Sequence, residues 1–397
     1  MVDILLHRVV ACAAVPLTGI DEELGRLERS GLLRTPRVLA SADGPVCTID
    51  GREVVLLCSN DYLGLSAHPA VRRAVVRSVE GQPVGACSSR LVSGTRASHR
   101  VLEEQLAGWL GVERTLLVST GFMANLAVMT TLAGPDDVVF SDELNHASIV
   151  QGCRLSRARI EVFPHCDMDA LERGLSRARR ARRRLVVTES IFSVDGDEAP
   201  LADMWRLART AGAALVVDEA HALGVLGPQG RGLCAAAGFV PDVIVGTLGK
   251  AFGVMGAFIA GTTDVVRLHE TRATAFIYTT APPPLVAEAA LAALEVVRRA
   301  DEERGRVLTL ATRLRAGIER LGCVTGAGHA HIVPQLVPDI SRALDVSLAL
   351  LERGVFVQVL RPPTVPAGTE RLRWSPTALH SSTHIDRALE ALGEVLG

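Results

Sequence analysis

The chain has almost no lysine: of 42 basic residues among its 397, 41 are arginine and one, Lys250, is lysine. Aromatic residues contribute only 4% although hydrophobic residues reach 48%, so a core must be built mostly from Val, Leu and Ala. The eight cysteines, at 12, 47, 58, 87, 153, 166, 234 and 323, include no C-x-x-C pair. That spacing indicates neither a zinc site nor a disulfide framework, and no metal is expected; reduced thiols in a cytoplasmic protein are the plain reading. No apolar stretch reaches the length of a transmembrane helix. The apolar run Val9–Leu17 has no basic cluster before it and no clean cleavage site, so it reads as part of an N-terminal arm rather than a signal peptide. With a net charge of −2 and no acidic or basic tail, nothing suggests a nucleic-acid or membrane partner.

Arginine enrichment has a bland cause, a GC-rich coding bias acting on surfaces where either base will do. The exception is therefore informative. Arg cannot release its proton in a protein, whereas Lys can become a neutral nucleophile. Chance survival of one lysine is the competing explanation, and the sequence around it has to decide.

What is present is alternation. Ser98–Leu110 reads as an amphipathic helix, Thr115–Ser119 as a strand, and Gly121 opens a helix through Met129. Short apolar runs follow at Val138–Phe140, Ile160–Phe163, Leu185–Thr188, Ala214–Asp218, Val243–Thr247 and Ala257–Ala260, with helical patterns between most of them. Strands buried on both faces look like this, and the pattern predicts an α/β fold with a mostly parallel sheet. Pro282-Pro283-Pro284 breaks the alternation, and helices follow near 285–299, 302–321, 342–353 and 383–396. The expected organisation is an arm over 1–55 with a strand or hairpin at Val46–Leu57, a large domain over 56–282, and a smaller α+β domain over 283–397. In such sheets ligands sit at the carboxyl ends of strands.

The polar motifs fall at those ends. Val243–Thr247 runs into Thr247-Leu248-Gly249-Lys250-Ala251-Phe252-Gly253, a lysine beside small residues and a hydroxyl, which suits a Schiff base to pyridoxal phosphate (PLP). Leu215-Val216-Val217-Asp218-Glu219-Ala220-His221 places a carboxylate where it can pair with a protonated pyridine nitrogen and keep the ring an electron sink, with His221 in reach of the phenolic oxygen. Asp-Glu-Ala-His after a strand also matches a helicase motif, but that reading needs an upstream phosphate loop, which the chain lacks. Ser119-Thr120-Gly121-Phe122 joins a strand to a helix start, a place for a phosphate. Asn145-His146 offers a ring to stack on a cofactor, although a lone His is more often structural. Ser193 lies just beyond the strand Leu185–Thr188. Arg361 and Arg373 bracket Pro362-Pro363-Thr364-Val365-Pro366-Ala367-Gly368, and arginine suits bidentate grip of a carboxylate.

Taken in order, Ser59-Asn60-Asp61-Tyr62-Leu63-Gly64-Leu65, Ser89-Arg90-Leu91-Val92-Ser93-Gly94 followed by His99, Asn145-His146-Ala147-Ser148, Asp218-Glu219-Ala220-His221, Gly230-Arg231-Gly232 and Thr247-Leu248-Gly249-Lys250 resemble the α-oxoamine synthases. The resemblance runs from about residue 20 to the end. It implies PLP fold type I, the aspartate-aminotransferase-like fold, with a seven-stranded sheet. Arg361-Pro362-Pro363-Thr364 with Arg371-Leu372-Arg373 is similar to the biotin-pathway branch, which implies decarboxylative condensation of L-alanine with a pimeloyl thioester of CoA or acyl carrier protein. By the same resemblance Lys250 carries the cofactor and acts as base, Asp218 pairs with the pyridine nitrogen, and His146 stacks on the ring. Ser193 and His221 serve the phenolic oxygen. Gly121, Phe122 and Thr247 hold the phosphate region, and Thr279 or Thr280 is lent to the phosphate of a neighbouring subunit, which implies a homodimer with shared active sites. Arg373 binds the amino acid carboxylate near Asn60. Thr364 and an N-terminal arginine, Arg34 or Arg37, line the acyl side, and Arg361 is counted among the substrate-binding residues.

Two departures stand out. Ala86-Cys87-Ser88 replaces a stretch usually richer in Gly, and Trp374 sits beside Arg373 where a smaller aliphatic residue is usual. Two other functions fit less of the pattern: a related synthase using another amino acid or acyl thioester, and a non-catalytic scaffold or regulatory subunit of the same fold, which would have no need of Lys250, Asp218, His146 and Arg373 together.

Overall fold

The structure, a computed structural model, describes residues 17–41 and 44–397. Of the apolar run Val9–Leu17, everything before Leu17 lies outside the described residues, as does Cys12. The other seven cysteines are free thiols. No helix among the described residues is long and apolar enough to cross a membrane.

Seven strands form the central sheet. In spatial order they are Arg114–Val118, Ala257–Gly261, Val243–Thr247, Ala214–Asp218, Arg184–Glu189, Val138–Asp142 and Arg159–Phe163. Six fit the expected parallel arrangement; Ala257–Gly261 alone runs antiparallel to both its neighbours. Val138–Asp142, Val243–Thr247 and Ala257–Gly261 are buried at every position, which is why they read as unbroken apolar runs. Successive side chains go to opposite faces. Leu185, Val187, Val216, Val243 and Val245 join a core layer with the helices Gly121–Leu132 and Ala147–Ser156. Val186, Leu215 and Val217 pack with Met168–Arg177 and Leu201–Ala211 on the other side. Ala97–Leu110 and Pro284–Val297 cover the near end of that second face, over Leu117, Ile244 and Phe258.

A second unit surrounds the three-stranded antiparallel sheet Val333–Leu336, Arg371–Trp374 and Gln358–Leu360. Helices Asp301–Arg320, Ile340–Glu352 and Ser382–Leu396 supply its core, in which Trp374 is fully buried. The expected hairpin is present as Val46–Ile49 and Arg52–Leu56, and Arg52–Leu56 also pairs in parallel with Val355–Phe356 near the other end of the chain. Val55 and Leu57 thereby enter the same core as Trp374. The segment that follows, Ser59–Leu65, thus crosses from this unit to the carboxyl ends of the large sheet.

Candidate active site

The strand Val243–Thr247 ends in a loop that its own backbone closes. Leu248 N–H donates to the Gly256 carbonyl at 2.9 Å, Val254 N–H to Leu248 at 2.9 Å, and Gly253 N–H to Lys250 at 2.8 Å. Gly253 has φ +65°, and a Cβ there would lie 2.2 Å from the backbone nitrogen of Ser66, so glycine is what lets the loop sit against the Ser59–Ser66 segment. Lys250 Nζ lies 2.7 Å from His221 Nε2. Burial lowers the lysine pKa to about 8, helped by Arg373 and resisted by Asp218 and Glu189. Burial and the charge of Lys250 push His221 well below its ordinary value.

His221 Nδ1 is 2.7 Å from the Tyr62 hydroxyl, which lies 3.0 Å from Asn60 Oδ1. Arg373 donates to Tyr62 at 3.2 Å, to Asn60 Oδ1 at 3.0 Å, and through Nε to the Ser193 carbonyl at 2.7 Å. One tautomer gives every donor an acceptor: His221 carries its proton on Nδ1 and donates to Tyr62, Tyr62 donates to Asn60, and Nε2 accepts from Lys250. A continuous hydrogen-bonded path therefore links the amine to the guanidinium.

On the other side, Asp218 is held by two donors, Ala220 N–H at 2.9 Å and Asn125 Nδ2 at 2.7 Å. Asn125 also donates to Ser148 Oγ at 2.9 Å, and Ser148 Oγ lies 2.7 Å from His146 Nδ1. Glu189, in register with Asp218 on the next strand, accepts the His146 N–H at 2.7 Å. Burial and the neighbouring Asp218 raise its pKa to about 8, although Lys250 and the His146 N–H work the other way. Asn125, Ser148, Glu189 and Tyr62 carry no role in the sequence reading. Asn125 could have been found only as a polar side chain in a mostly apolar helix. Ser148 and Tyr62 lie inside motifs already singled out, and Glu189 directly follows the apolar run Leu185–Thr188.

Thr120 caps the helix Gly121–Leu132 by accepting the Met123 N–H at 3.2 Å. A Cβ on Gly121 would stand 3.8 Å from Thr247, so the helix N-terminus and Thr247 face each other. The Thr247 hydroxyl accepts from Gly249 N–H at 3.1 Å and donates to the Gly256 carbonyl at 3.2 Å. Phe122 beside it is 42% exposed. The Ser119 hydroxyl donates to the Thr280 carbonyl at 3.3 Å. Thr279 is half-buried and Thr280 exposed, next to Tyr278, which is 83% exposed.

A cleft of about 740 Å³ opens over His146 and Ser193, walled by Pro362, Thr364 and Arg371. The geometry separates the two N-terminal arginines. Arg34 donates to the carbonyls of Arg361 at 3.2 Å and Pro362 at 2.9 Å, directly behind the cleft wall. Arg37 pairs loosely with Asp50 at 3.9 Å and faces a different cavity of about 690 Å³. Arg361 lines that second cavity too, and its guanidinium donates to the Leu33 carbonyl at 2.7 Å, so it ties down the N-terminal segment. Trp374 turns to the opposite face of its strand from Arg373 and donates to Gln335 at 3.0 Å inside the core. Cys87 adopts φ +57°, the left-handed region in which glycine is at ease.

These groups fit PLP. A buried lysine with its pKa near 8 is a competent nucleophile toward an aldehyde, Asp218 is a fixed carboxylate, and a helix N-terminus with Thr247 forms a cradle for phosphate. The family model for aminotransferase class I and II matches residues 52–392. The 8-amino-7-oxononanoate synthase of Anaeromyxobacter dehalogenans is 47% identical over 382 residues, 96% of each chain. Serine palmitoyltransferase from S. paucimobilis, solved with bound PLP–myriocin, superposes with a TM-score of 0.91 at 32% identity, covering 95% of this chain and 96% of the other. The 8-amino-7-oxononanoate synthase from Francisella tularensis gives 0.74 at 27% identity, over 86% and 97% of the two chains. The chain belongs to the aminotransferase class I and II family and, within it, to the α-oxoamine synthases.

Proposed function

We propose that the chain is an 8-amino-7-oxononanoate synthase of biotin biosynthesis, joining L-alanine to a pimeloyl thioester of CoA or acyl carrier protein with loss of CO2 and the free thiol. The observation that carries the reading is Lys250 Nζ, held 2.7 Å from His221 with its pKa lowered to about 8 by burial.

PLP, when bound, supplies an electron sink for the bonds broken and formed at the amino acid Cα. Lys250 would tether it, with Asp218 serving its ring nitrogen, His146 its face, and Ser193 and His221 its phenolic oxygen. Gly121, Phe122 and Thr247 would hold its phosphate. Arg373 would grip the alanine carboxylate, its guanidinium already steadied by Asn60, Tyr62 and the Ser193 carbonyl. Once free as an amine, Lys250 takes the proton from Cα at Nζ and later returns it. Thr364 would line the cleft for the acyl chain, with Arg34 bonded to the Pro362 carbonyl behind its wall.

We place Thr279 or Thr280 against the phosphate of a second subunit, in a homodimer with shared sites, a reading supported by the exposed Phe122, Met255 and Tyr278 around the site's rim. The free thiols of the described cysteines support a cytoplasmic setting. The likeness to serine palmitoyltransferases favours a second reading, a synthase that takes serine and a longer acyl thioester. The test is to supply the PLP-loaded protein with alanine, glycine or serine and a pimeloyl or palmitoyl thioester, and to identify products by mass spectrometry. 8-Amino-7-oxononanoate from alanine and the pimeloyl donor is expected. A long-chain keto product from serine, or no product with any pair, overturns the first reading.

A further inference from the structure

A cluster outside the reacting groups remains without a role. Asp142 ends the fully buried strand Val138–Asp142 and accepts three N–H groups: Leu144 and His165 Nδ1 on one oxygen, Cys166 on the other, each at 2.9 Å. His165 Nε2 lies 2.6 Å from Asp197 Oδ2, and its backbone N–H donates to Glu143 at 2.9 Å. The ring packs edge-on against Phe192, with centroids 4.4 Å apart. Both nitrogens face carboxylates, so both carry protons and the ring is an imidazolium. Burial opposes that charge, but the hydrogen bonds to Asp142 and Asp197 outweigh it and raise the pKa to about 12.

Asp197 closes a turn at the site. Gly196 N–H donates to the Phe192 carbonyl at 2.9 Å and Phe192 N–H to the Asp197 carbonyl at 3.0 Å. Gly196 has φ +68°, and a Cβ there would be 2.5 Å from the Ile332 carbonyl, so the turn presses directly on the C-terminal unit. Within it, Asp195 pairs with Arg371 and the Ser193 carbonyl receives Arg373 Nε at 2.7 Å. Arg371 and Arg373 are two residues apart on one strand and so share a face. The turn is thus fastened to the C-terminal unit by two arginines and to the large sheet by His165.

We propose that His165 is a positioning residue for the reacting centre: bridging Asp142 and Asp197, it sets the Phe192–Asp197 turn and thereby the placement of Ser193 and Arg373. The inference rests on the function proposed above. Asp142, His165 and Cys166 also lie close enough together to suggest a metal site. The 2.9 Å contact between His165 Nδ1 and Asp142 argues otherwise, and the other ring nitrogen is already taken by Asp197. Two ligand atoms on one tetrahedral zinc, each about 2 Å from it, stand roughly 3.3 Å apart. The three groups are hydrogen-bonded to one another.

The test uses the PLP-loaded full chain with His165→Gln, and with Asp197→Asn, which keeps the shape of the turn and carries the experiment if His165→Gln does not fold. The readouts are the KM for L-alanine against kcat, and the pH midpoint of the bound cofactor's visible absorbance, to which Ser193 contributes. A misplaced anchor raises that KM about tenfold and moves the midpoint; Asp197→Asn moves both in the same direction. Ser193→Ala moves the midpoint in the parent protein and adds nothing in the His165→Gln background. If both variants only melt earlier, with KM and midpoint unchanged, the role is purely structural and the proposal fails. Zinc retained by the parent and lost on Cys166→Ala also overturns it. A parent protein that binds no PLP or does not turn over alanine would instead sink the functional reading, and this shows before any variant is made.

Discussion

Lys250 Nζ sits 2.7 Å from Nε2 of His221, a ring that burial holds neutral. The amine therefore faces an acceptor, not a second cation. That relationship gives the only lysine of the chain both a fixed direction and an accessible neutral form.

Lys250→Arg will fold, because the loop is closed by backbone bonds that the side chain does not make. It will form no covalent link to PLP, and turnover will fall by at least about a thousandfold, the scale set by losing a general base together with a tether. Absorbance and mass spectrometry after borohydride reduction check this. Covalent PLP on the variant would contradict the assignment.

Capture of PLP by cofactor-free protein should depend on pH through Lys250. Its pKa is lowered to about 8, so the reactive neutral amine grows as pH rises and is nearly complete about a unit above that midpoint. Stopped-flow capture rates should climb through a single ionisation near pH 8 and then level. A rate still climbing beyond pH 10 would mean an ordinary exposed lysine.

The strand ends were legible in the sequence because strands buried on both faces leave plain apolar runs, and Asp218 and Lys250 follow two of them directly. The fold class followed from the same runs. The antiparallel direction of Ala257–Gly261 was not, since direction leaves no mark in composition. Nor was the helix Pro69–Gly81, which buries only Val71, Ala74 and Ser78 along 13 residues. The support behind His146 escaped for another reason: Asn125 meets Asp218 across 93 residues of sequence, and only folding brings them together. Sequence left Arg34 and Arg37 equal; their carbonyl and carboxylate partners separate them.

Arg373→Lys will keep the charge but lose the fork. A single ammonium cannot reach the Ser193 carbonyl, Asn60 and Tyr62 together and still receive a carboxylate. The KM for L-alanine should rise by about tenfold or more, one lost charge-assisted bond being worth roughly 1.5–3 kcal/mol. KM for the acyl thioester should change little; equal rises in both would place Arg373 elsewhere in the reaction.

Arg90 and Glu103 form a buried pair, with contacts of 2.9 and 3.2 Å and side chains 2% and 5% exposed. Glu103 also accepts the Leu117 N–H at 2.9 Å, beneath an edge strand of the large sheet. Glu103→Ala leaves a buried guanidinium without its carboxylate and should cost about 3–5 kcal/mol, read from chemical denaturation. A loss under 1 kcal/mol would mean that water reaches Arg90.

Cys87→Gly should stabilise the protein by about 1 kcal/mol, because it relieves a side chain held at φ +57°. A rise in melting temperature with unchanged KM for the thioester would show that this departure is tolerated strain. A changed acyl preference would show that Cys87 shapes the substrate channel.

The parallel pairing of Val55 with Val355 has a consequence for biosynthesis. Three hundred residues separate the two strands, and the unit that carries Arg373 is complete only when both are present. A nascent chain on the ribosome can build most of the large sheet, yet Asn60 and Tyr62 wait for their arginine until nearly the whole chain has emerged. The part of the site that Arg373 completes is therefore assembled last, and a chain stopped short of it leaves Asn60 and Tyr62 without their guanidinium.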